Sequence, residues 1–148
     1  MSVPAVMITE FKIGRFDEVL ALMIRTPGAA VRHADSLEAT ARYLERNPGL
    51  SFVAETGGRI IGCARCGHDG PRGYLQRALV ESAYRGRGIA HDLVTHGLDA
   101  LEKLGILKTH TDAFVTNALA HQYWTRSGWN RRDDISRYSF NRSQNENA

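Results

Sequence analysis

Two glycines alternate with two arginines in the segment from Arg85 to Ala90. The apolar run from Tyr74 to Val80 just upstream is typical of a strand, and the apolar spacing from Leu93 to Leu104 predicts an amphipathic helix. The segment therefore lies at a helix entrance, where free N–H groups and the helix dipole attract anions. Glycines let the main chain approach an anion closely, and arginines add charge-assisted hydrogen bonds. The pattern predicts a phosphate-binding turn, although it matches neither the GxGxxG nor the P-loop signature.

Alternation of apolar runs with turn residues predicts the elements that hold this turn in place. Upstream they are a strand at Ile8 to Ile13, a helix at Asp17 to Ile24, a second helix capped by Asp35 or Ser36, and strands at Leu50 to Thr56 and Arg59 to Cys66. Downstream they are a strand at Ile106 to Val115, a helix capped by Thr116 or Asn117, and a strand at Ile135 to Phe140. This order predicts an α/β (α+β) fold with a mixed, mostly antiparallel sheet flanked by helices.

Composition narrows the class of protein. The 148 residues, 43% of them hydrophobic, suit one globular domain, which we expect over residues 1–140 with a polar tail over residues 141–148. The net charge of +3 agrees with an acidic ligand but is low for a nucleic-acid-binding surface. Met1 to Met7 lacks a basic leader, and no apolar run approaches about 20 residues, so we expect a cytoplasmic protein without a membrane partner.

Cys63 and Cys66 form a C-x-x-C pattern inside a predicted strand. A redox pair of this spacing opens a helix, and a structural zinc site needs two further ligands. An odd separation along a strand sends the two side chains to opposite faces of the sheet. We therefore expect two unpaired cysteines and no metal.

The segment Arg85 to Ala90 resembles the acyl-CoA loop of the GNAT superfamily of N-acetyltransferases, written Arg/Gln-x-x-Gly-x-Gly/Ala, with Arg85, Gly88 and Ala90 at its defined positions. A second family pattern, Asn-x-x-Ala-x-x-Phe/Tyr-Tyr-x-x-x-Gly-Phe/Trp/Tyr, is matched except at its second aromatic by Asn117, Ala120, Tyr123, Trp124, Gly128 and Trp129. The order of predicted elements is also similar to the acetyltransferase fold over nearly the whole chain.

The resemblance implies that acetyl-CoA is the cosubstrate. The residues that it assigns to acetyl-CoA binding are Leu79, Val80, Arg85, Gly86, Arg87, Gly88, Ile89, Ala90 and Asn117. Seven of them have a plainer alternative, which for Gly86 and Gly88 is an ordinary tight turn. Leu79 and Val80 suit a hydrophobic core, Asn117 suits a helix cap, and the two arginines suit a solvated turn or a contact to nucleic acid.

The resemblance also implies the catalytic roles. The backbone N–H of Val80 is the family-like donor to the thioester oxygen. Many family members place a tyrosine acid at the second aromatic of the last helix, where this chain has Trp124, so Tyr123 is the remaining candidate. An equal alternative is that Tyr123 packs in the core. The candidates for a general base are Glu81, His68, Asp69, Asp112, His110 and His33, and the sequence does not choose among them.

We therefore expect an N-acetyltransferase that moves the acetyl group from acetyl-CoA directly to an amine. A small-molecule amine is favoured over a protein N-terminus or lysine, because no segment marks a peptide groove. The main alternative is a non-catalytic acyl-CoA-binding module, which the missing tyrosine suggests. A nucleic-acid binder is a further alternative, and a homodimer is left open.

Overall fold

The computed structural model describes residues 5–148, and its centre is a five-stranded sheet in the order β1-β2-β3-β4-β5. The strands are β1 Met7–Glu10, β2 Phe52–Thr56, β3 Arg59–His68, β4 Gly73–Val80 and β5 Thr109–Thr111. The helices are α1 Phe16–Arg25, α2 Leu37–Arg46, α3 Ile89–Lys103 and α4 Ala118–Arg126. Strands β1 to β4 pair antiparallel, and β5 pairs parallel with β4, which confirms the predicted mixed sheet.

The chain divides into two units. The first ends at Thr111 and contains the whole sheet, and the second runs from Asp112 to Ala148 and contains α4. The first four residues of the predicted 1–140 domain, and part of the predicted leader-free segment Met1 to Met7, lie outside the described residues. The proposal of one domain with a tail from residue 141 stays a prediction.

Local signals in the sequence account for several element boundaries. The Ser36 hydroxyl accepts a hydrogen bond from the Ala39 N–H at 3.2 Å and so caps α2. Gly57 and Gly58 join β2 to β3 with φ angles of 57° and 78°, as a two-residue hairpin turn requires. Both predictions, the cap and the glycine turn, are confirmed.

Helices cover both faces of the sheet. On one face, α1 contributes to an apolar cluster composed of Phe11, Val19, Leu22, Met23, Val53, Ile60 and Cys63. On the other face, α3 lies so close that a Cβ added at Gly97 would come within 2.5 Å of the Cys66 sulfur. Cys63 and Cys66 therefore point to opposite faces and are unpaired, as predicted. Burial raises the pKa of Cys63 to about 11 and that of Cys66 to about 12, which keeps both thiols protonated and unreactive near neutral pH.

Strand β4 has a bulge at its middle, and its pairing with β5 ends there while its pairing with β3 continues. Leu75 pairs with Cys66 and Arg77 pairs with Arg65, so Gln76 is an extra residue. Pairing with β5 covers only Gly73 to Leu75. From Arg77 to Val80, β4 pairs only with β3 among the described residues.

The C-terminal end of β4 is held by Glu81. Its N–H donates to the Ile61 carbonyl at 2.7 Å, and its carboxylate accepts hydrogen bonds from Arg59 and, at 2.8 Å, from Arg25 at the end of α1. Arg25 also donates to the Ile60 carbonyl at 2.7 Å. These contacts fix the end of β4 to both β3 and α1.

Three predicted strands differ from the structure. The first strand ends at Glu10 rather than Ile13, because Ile13–Arg15 forms a 3₁₀ turn. The strand predicted over residues 106–115 is reduced to β5. The strand predicted over residues 135–140 is wrong, since these residues belong to no strand. Its apolar residues, Ile135, Tyr138 and Phe140, are spaced by three and then two, which is not the strict alternation of a half-buried strand.

We expect Glu81→Gln to lower the free energy of unfolding at pH 7 by about 1–3 kcal/mol, the usual cost of weakening hydrogen bonds to a charged group. Burial opposes ionisation of Glu81, but the hydrogen bonds from Arg59 and Arg25 outweigh it, and the net effect lowers its pKa. A lowered folded-state pKa stabilises the fold above the ordinary value of 4.5, and this contribution is lost as the pH falls through the folded-state pKa.

Urea denaturation between pH 3 and pH 8 would measure this effect, with the exposed Glu102→Gln as the matched control. The gap between wild type and Glu81→Gln should narrow below pH 4.5, while Glu102→Gln should follow wild type throughout. A gap that stays constant with pH would show that the charge of Glu81 contributes nothing.

Candidate functional site

The turn between β4 and α3 has the backbone geometry of an anion-binding site. Gly86 and Gly88 adopt positive φ angles of 78° and 77°, and Gly88 is the N-cap of α3. The first helical hydrogen bond runs from the Asp92 N–H to the Gly88 carbonyl at 3.0 Å. The N–H groups of Ile89 and Ala90 precede that bond, so the helix itself offers them no acceptor. They lie at the positive end of the helix dipole, where a phosphate is stabilised.

The two arginines of the turn, Arg85 and Arg87, are exposed, and their side chains contact different groups. The Nε of Arg85 donates to the Val80 carbonyl at 3.3 Å, which ties the turn back to the end of β4. The guanidinium of Arg87 lies 5.3 Å from the ring centroid of Tyr84. Both keep donor groups free for a ligand, because each guanidinium has five N–H donors. The turn therefore combines main-chain donors with two positive charges.

The main-chain groups at the end of β4 alternate between its two sides. The Glu81 N–H points to β3, and the Leu79 carbonyl also lies against β3, 3.1 Å from the place that a Cβ on Gly62 would occupy. Because successive residues of a strand present their N–H and C=O to opposite sides, the groups of Ala78 and Val80 point away from β3. The bond from Arg85 to the Val80 carbonyl agrees with this direction.

This alternation changes the predicted contacts. Val80 has a main-chain N–H on the open side of β4, as a donor to a bound thioester requires. The main-chain groups of Leu79 are turned toward β3, and its side chain packs against the α1 cluster, which argues against a ligand contact there. Ala78 takes its place on the open side. The sequence did not reveal Ala78, because the bulge at Gln76 reverses the parity of the strand and leaves no sequence signature.

The candidate bases of the first unit lie apart from Val80. His68 and Asp69 are at the β3–β4 turn, and His110 pairs with Tyr74. At about 3.3 Å per residue, the six or more residues between them and Val80 span about 20 Å. The hydrogen bond from the Arg72 N–H, with a lesser one from the Tyr74 hydroxyl, lowers the pKa of Asp69 against the opposing effect of desolvation, which makes it a weak base. These three residues are not brought together with Val80.

Two other candidates occupy different surroundings. Glu81 follows Val80 directly, but its carboxylate is 15% exposed and engaged by two arginines. Its carboxylate is therefore held in structural ion pairs, which argues against a role as the general base. His33 begins a 3₁₀ turn between α1 and α2 that ends at the buried Asp35. Asp35 binds Arg77 of β4 at 3.0 Å, so this turn is fastened to the strand.

The second unit contains Asn117, Tyr123 and Trp124. The Asn117 side chain accepts a hydrogen bond from the Ala120 N–H at 3.1 Å and caps α4. The Tyr123 and Trp124 rings make an edge contact at 4.9 Å between centroids. Burial raises the pKa of Tyr123, and a hydrogen bond with Ser127 lowers it by less. Asp112, the last candidate base, forms an exposed ion pair with Arg137 at 2.6 Å.

Residues 5–148 lack two features. None of the described helices is both long and apolar enough to cross a bilayer. The same residues contain no cluster of three histidine, cysteine, aspartate or glutamate side chains suited to a metal ion.

Comparison with known proteins identifies the family. The model of the acetyltransferase (GNAT) family matches residues 16–129. N-alpha-acetyltransferase 30 of Schizosaccharomyces pombe is 31% identical over 104 residues, which is 67% of this chain and 69% of that protein. An acetyltransferase of Sodalis glossinidius is 34% identical over 88 residues, which is 60% of this chain and 61% of that protein.

The fold is also that of solved acetyltransferases. The PaiA N-acetyltransferase of Thermoplasma acidophilum, solved in complex with coenzyme A, superposes with a TM-score of 0.79 at 16% identity and covers 88% of this chain and 93% of its own. At this identity the likeness concerns the fold alone. Because the family model spans most of the sequence, the chain belongs to the acetyltransferase (GNAT) family and is an acetyl-CoA-dependent N-acetyltransferase.

Proposed function

We propose that the protein transfers the acetyl group directly from acetyl-CoA to a primary amine while both substrates are bound. The pyrophosphate of acetyl-CoA binds the turn formed by Arg85 to Ala90, and the pantetheine arm follows the open side of β4 along Ala78 and Val80. A role for Asn117 in acetyl-CoA binding remains part of the proposal. A cytoplasmic location belongs to it as well, since Cys63 and Cys66 are unpaired thiols.

The observation that carries this proposal is the direction of the Val80 N–H. It points away from β3 at the strand end that leads into the positive-φ glycine turn. A donor held there stabilises the negative charge that develops on the thioester oxygen when the amine attacks. The N–C bond forms, the C–S bond breaks, and the thiolate of CoA leaves with the bonding electron pair.

The proton of the amine is the larger energetic problem. A primary ammonium with a pKa of about 10.4 costs about 4.6 kcal/mol to deprotonate at pH 7. Among the candidate bases of the first unit, His68, Asp69 and His110 lie far along β4 and Glu81 is held by two arginines. We therefore propose that the proton passes to water rather than to one of these side chains.

The leaving group needs little help. The thiol of CoA has a pKa of about 8.5, whereas burial raises the pKa of Tyr123 above its ordinary value of 10.0. Proton transfer from this phenol to the thiolate is therefore uphill by more than about 2 kcal/mol. Tyr123 stays the candidate acid, in place of the tyrosine that the family has at the position of Trp124, but the thiolate can leave without it.

Thiol release from acetyl-CoA with a panel of primary amines tests the proposed reaction. We expect release above background, with kcat/KM rising up to about tenfold per pH unit below the pKa of the amine, because water rather than a side chain is proposed to take the proton. Tight acetyl-CoA binding with no release for any amine would indicate a non-catalytic acyl-CoA-binding module instead.

The variant Tyr123→Phe tests the acid. It removes one hydroxyl and preserves the aromatic volume, so we expect kcat to stay within about threefold of wild type at pH 7. The control is acetyl-CoA affinity by calorimetry, which should not change. A fall in kcat of about a hundredfold at unchanged affinity would make Tyr123 the general acid.

A further inference from the structure

A basic groove lies beside α2, on the side of the sheet where Arg65 and Gln76 emerge. We call it the α2 groove. It is lined by Ala34, Ala39, Arg42, Tyr43, Glu45, Arg46, Arg65 and Gln76. These residues come from the turn before α2, from α2 itself and from the middle of β3 and β4, so the groove is assembled only in the folded first unit.

The groove has an excess of positive charge. Three arginines and one glutamate line it. Arg42 and Arg46 lie one helical turn apart on the exposed side of α2, and no ion pair or hydrogen bond within residues 5–148 engages either guanidinium. Two like charges at this spacing repel each other. An anionic ligand would relieve that repulsion.

The inner wall of the groove is held by contacts that, within the described part of the chain, the two arginines of its rim lack. The side chain of Arg65 is 14% exposed, donates to Asp35 at 2.9 Å, and lies 5.4 Å from the ring centroid of Tyr43. The Nε of Arg65 and the hydroxyl of Tyr43 are buried without a hydrogen-bond partner among the described residues. Burial raises the pKa of Tyr43, and the opposing effect of the Arg65 charge is smaller, so the hydroxyl stays neutral.

The groove and the proposed reaction centre share one strand. Gln76, the bulge residue of β4, lines the groove, and Val80 ends the same strand. At about 3.3 Å per residue, the four residues from Gln76 to Val80 span about 13 Å. A small amine at Val80 does not cover this distance. An extended peptide does, because its fourth or fifth residue lies about 13 Å from its N-terminal amine.

We propose that the α2 groove binds acidic side chains of an extended peptide acceptor whose N-terminal amine reaches Val80. The acidic residues lie from about the fourth position onward and meet Arg42, Arg46 and Arg65. This inference rests on the proposed function and specifies its acceptor as a protein N-terminus. A protein N-terminus therefore replaces the small-molecule acceptor that was favoured from the sequence. The sequence contains no local sign of the groove, because the groove is built from three separate segments.

Three peptide pools test the proposal. Each has mixed residues at positions one to three, followed by three glutamates, three glutamines or three lysines. With wild type at low salt, we expect kcat/KM for the glutamate pool to exceed that for the glutamine pool by about tenfold, with the lysine pool lowest. The preference should shrink at high salt, because the arginines of the rim are solvated.

The paired variant Arg42→Glu with Arg46→Glu should abolish the glutamate preference and raise turnover of the lysine pool. The matched control is Lys12→Glu with Lys103→Glu, which changes the net charge equally at exposed sites outside the groove and should keep the wild-type preference. Circular dichroism and Tm check that both pairs fold. Fluorescence anisotropy of the labelled pools with CoA present gives the charge preference independently of turnover.

The outcomes separate the inference from the reaction. Thiol release with small amines but no charge preference among the peptides, in turnover and in binding, would overturn the groove proposal and leave the proposed function standing. Equal loss of preference in the control pair would also overturn it, because long-range charge rather than the groove would then be responsible. Failure of every amine and every peptide to release thiol would overturn both.

Discussion

The proposed binding of acetyl-CoA depends on the one-sided pairing of β4 beyond Leu75. A strand edge with a free row of N–H and C=O groups is a template on which another strand or an extended ligand can pair. Here the main-chain groups of Ala78 and the N–H of Val80 face away from β3 and are available to a ligand with amide groups of its own, while the Val80 carbonyl accepts a hydrogen bond from Arg85. The pantetheine arm of acetyl-CoA has such groups, and binding it amounts to adding a partial strand.

Main-chain donors are useful only if they are held in place before the ligand arrives. Glu81 provides this by joining the end of β4 to α1 and β3 through Arg25, Arg59 and the Ile61 carbonyl. The next turn is fixed by a bond from Arg85 to Val80 and by the α3 helix that begins after Gly88. Little reorganisation is then needed when charge develops on the thioester oxygen, which is how preorganised donors accelerate a reaction.

Much of this arrangement could be predicted from the sequence, because it rests on local signals. Positive-φ glycines, the spacing of the α3 leucines and the Asn117 cap each act within a few residues. The features that could not be predicted depend on strand register and on distant contacts. The bulge at Gln76 exchanges Leu79 for Ala78 on the open side, and the engagement of Glu81 involves arginines 56 and 22 residues away.

The strand predicted over residues 135–140 did not form, although its side chains favour a strand. Residues 135–140 have β-favouring side chains, yet Ile135 and Tyr138 would lie on opposite faces of a strand. Propensity without alternation did not produce a strand there. The α2 groove could not be predicted either, because Arg42, Arg65 and Gln76 are distant in sequence and come together only in the fold.

Binding of acetyl-CoA by the main chain at the start of α3 is tested by comparing acetyl-CoA affinity, by calorimetry, for Gly88→Ala and Gly49→Ala. The two glycines have nearly equal φ angles of 77° and 75°, and an added Cβ meets no atom within 4 Å at either site. Both variants should therefore lose about 1–2 kcal/mol of stability from the same backbone strain. We expect only Gly88→Ala to weaken acetyl-CoA binding, by tenfold or more, because only its Cβ stands where the pyrophosphate approaches. Equal affinities in the two variants would contradict the claim that the main chain at the start of α3 holds acetyl-CoA.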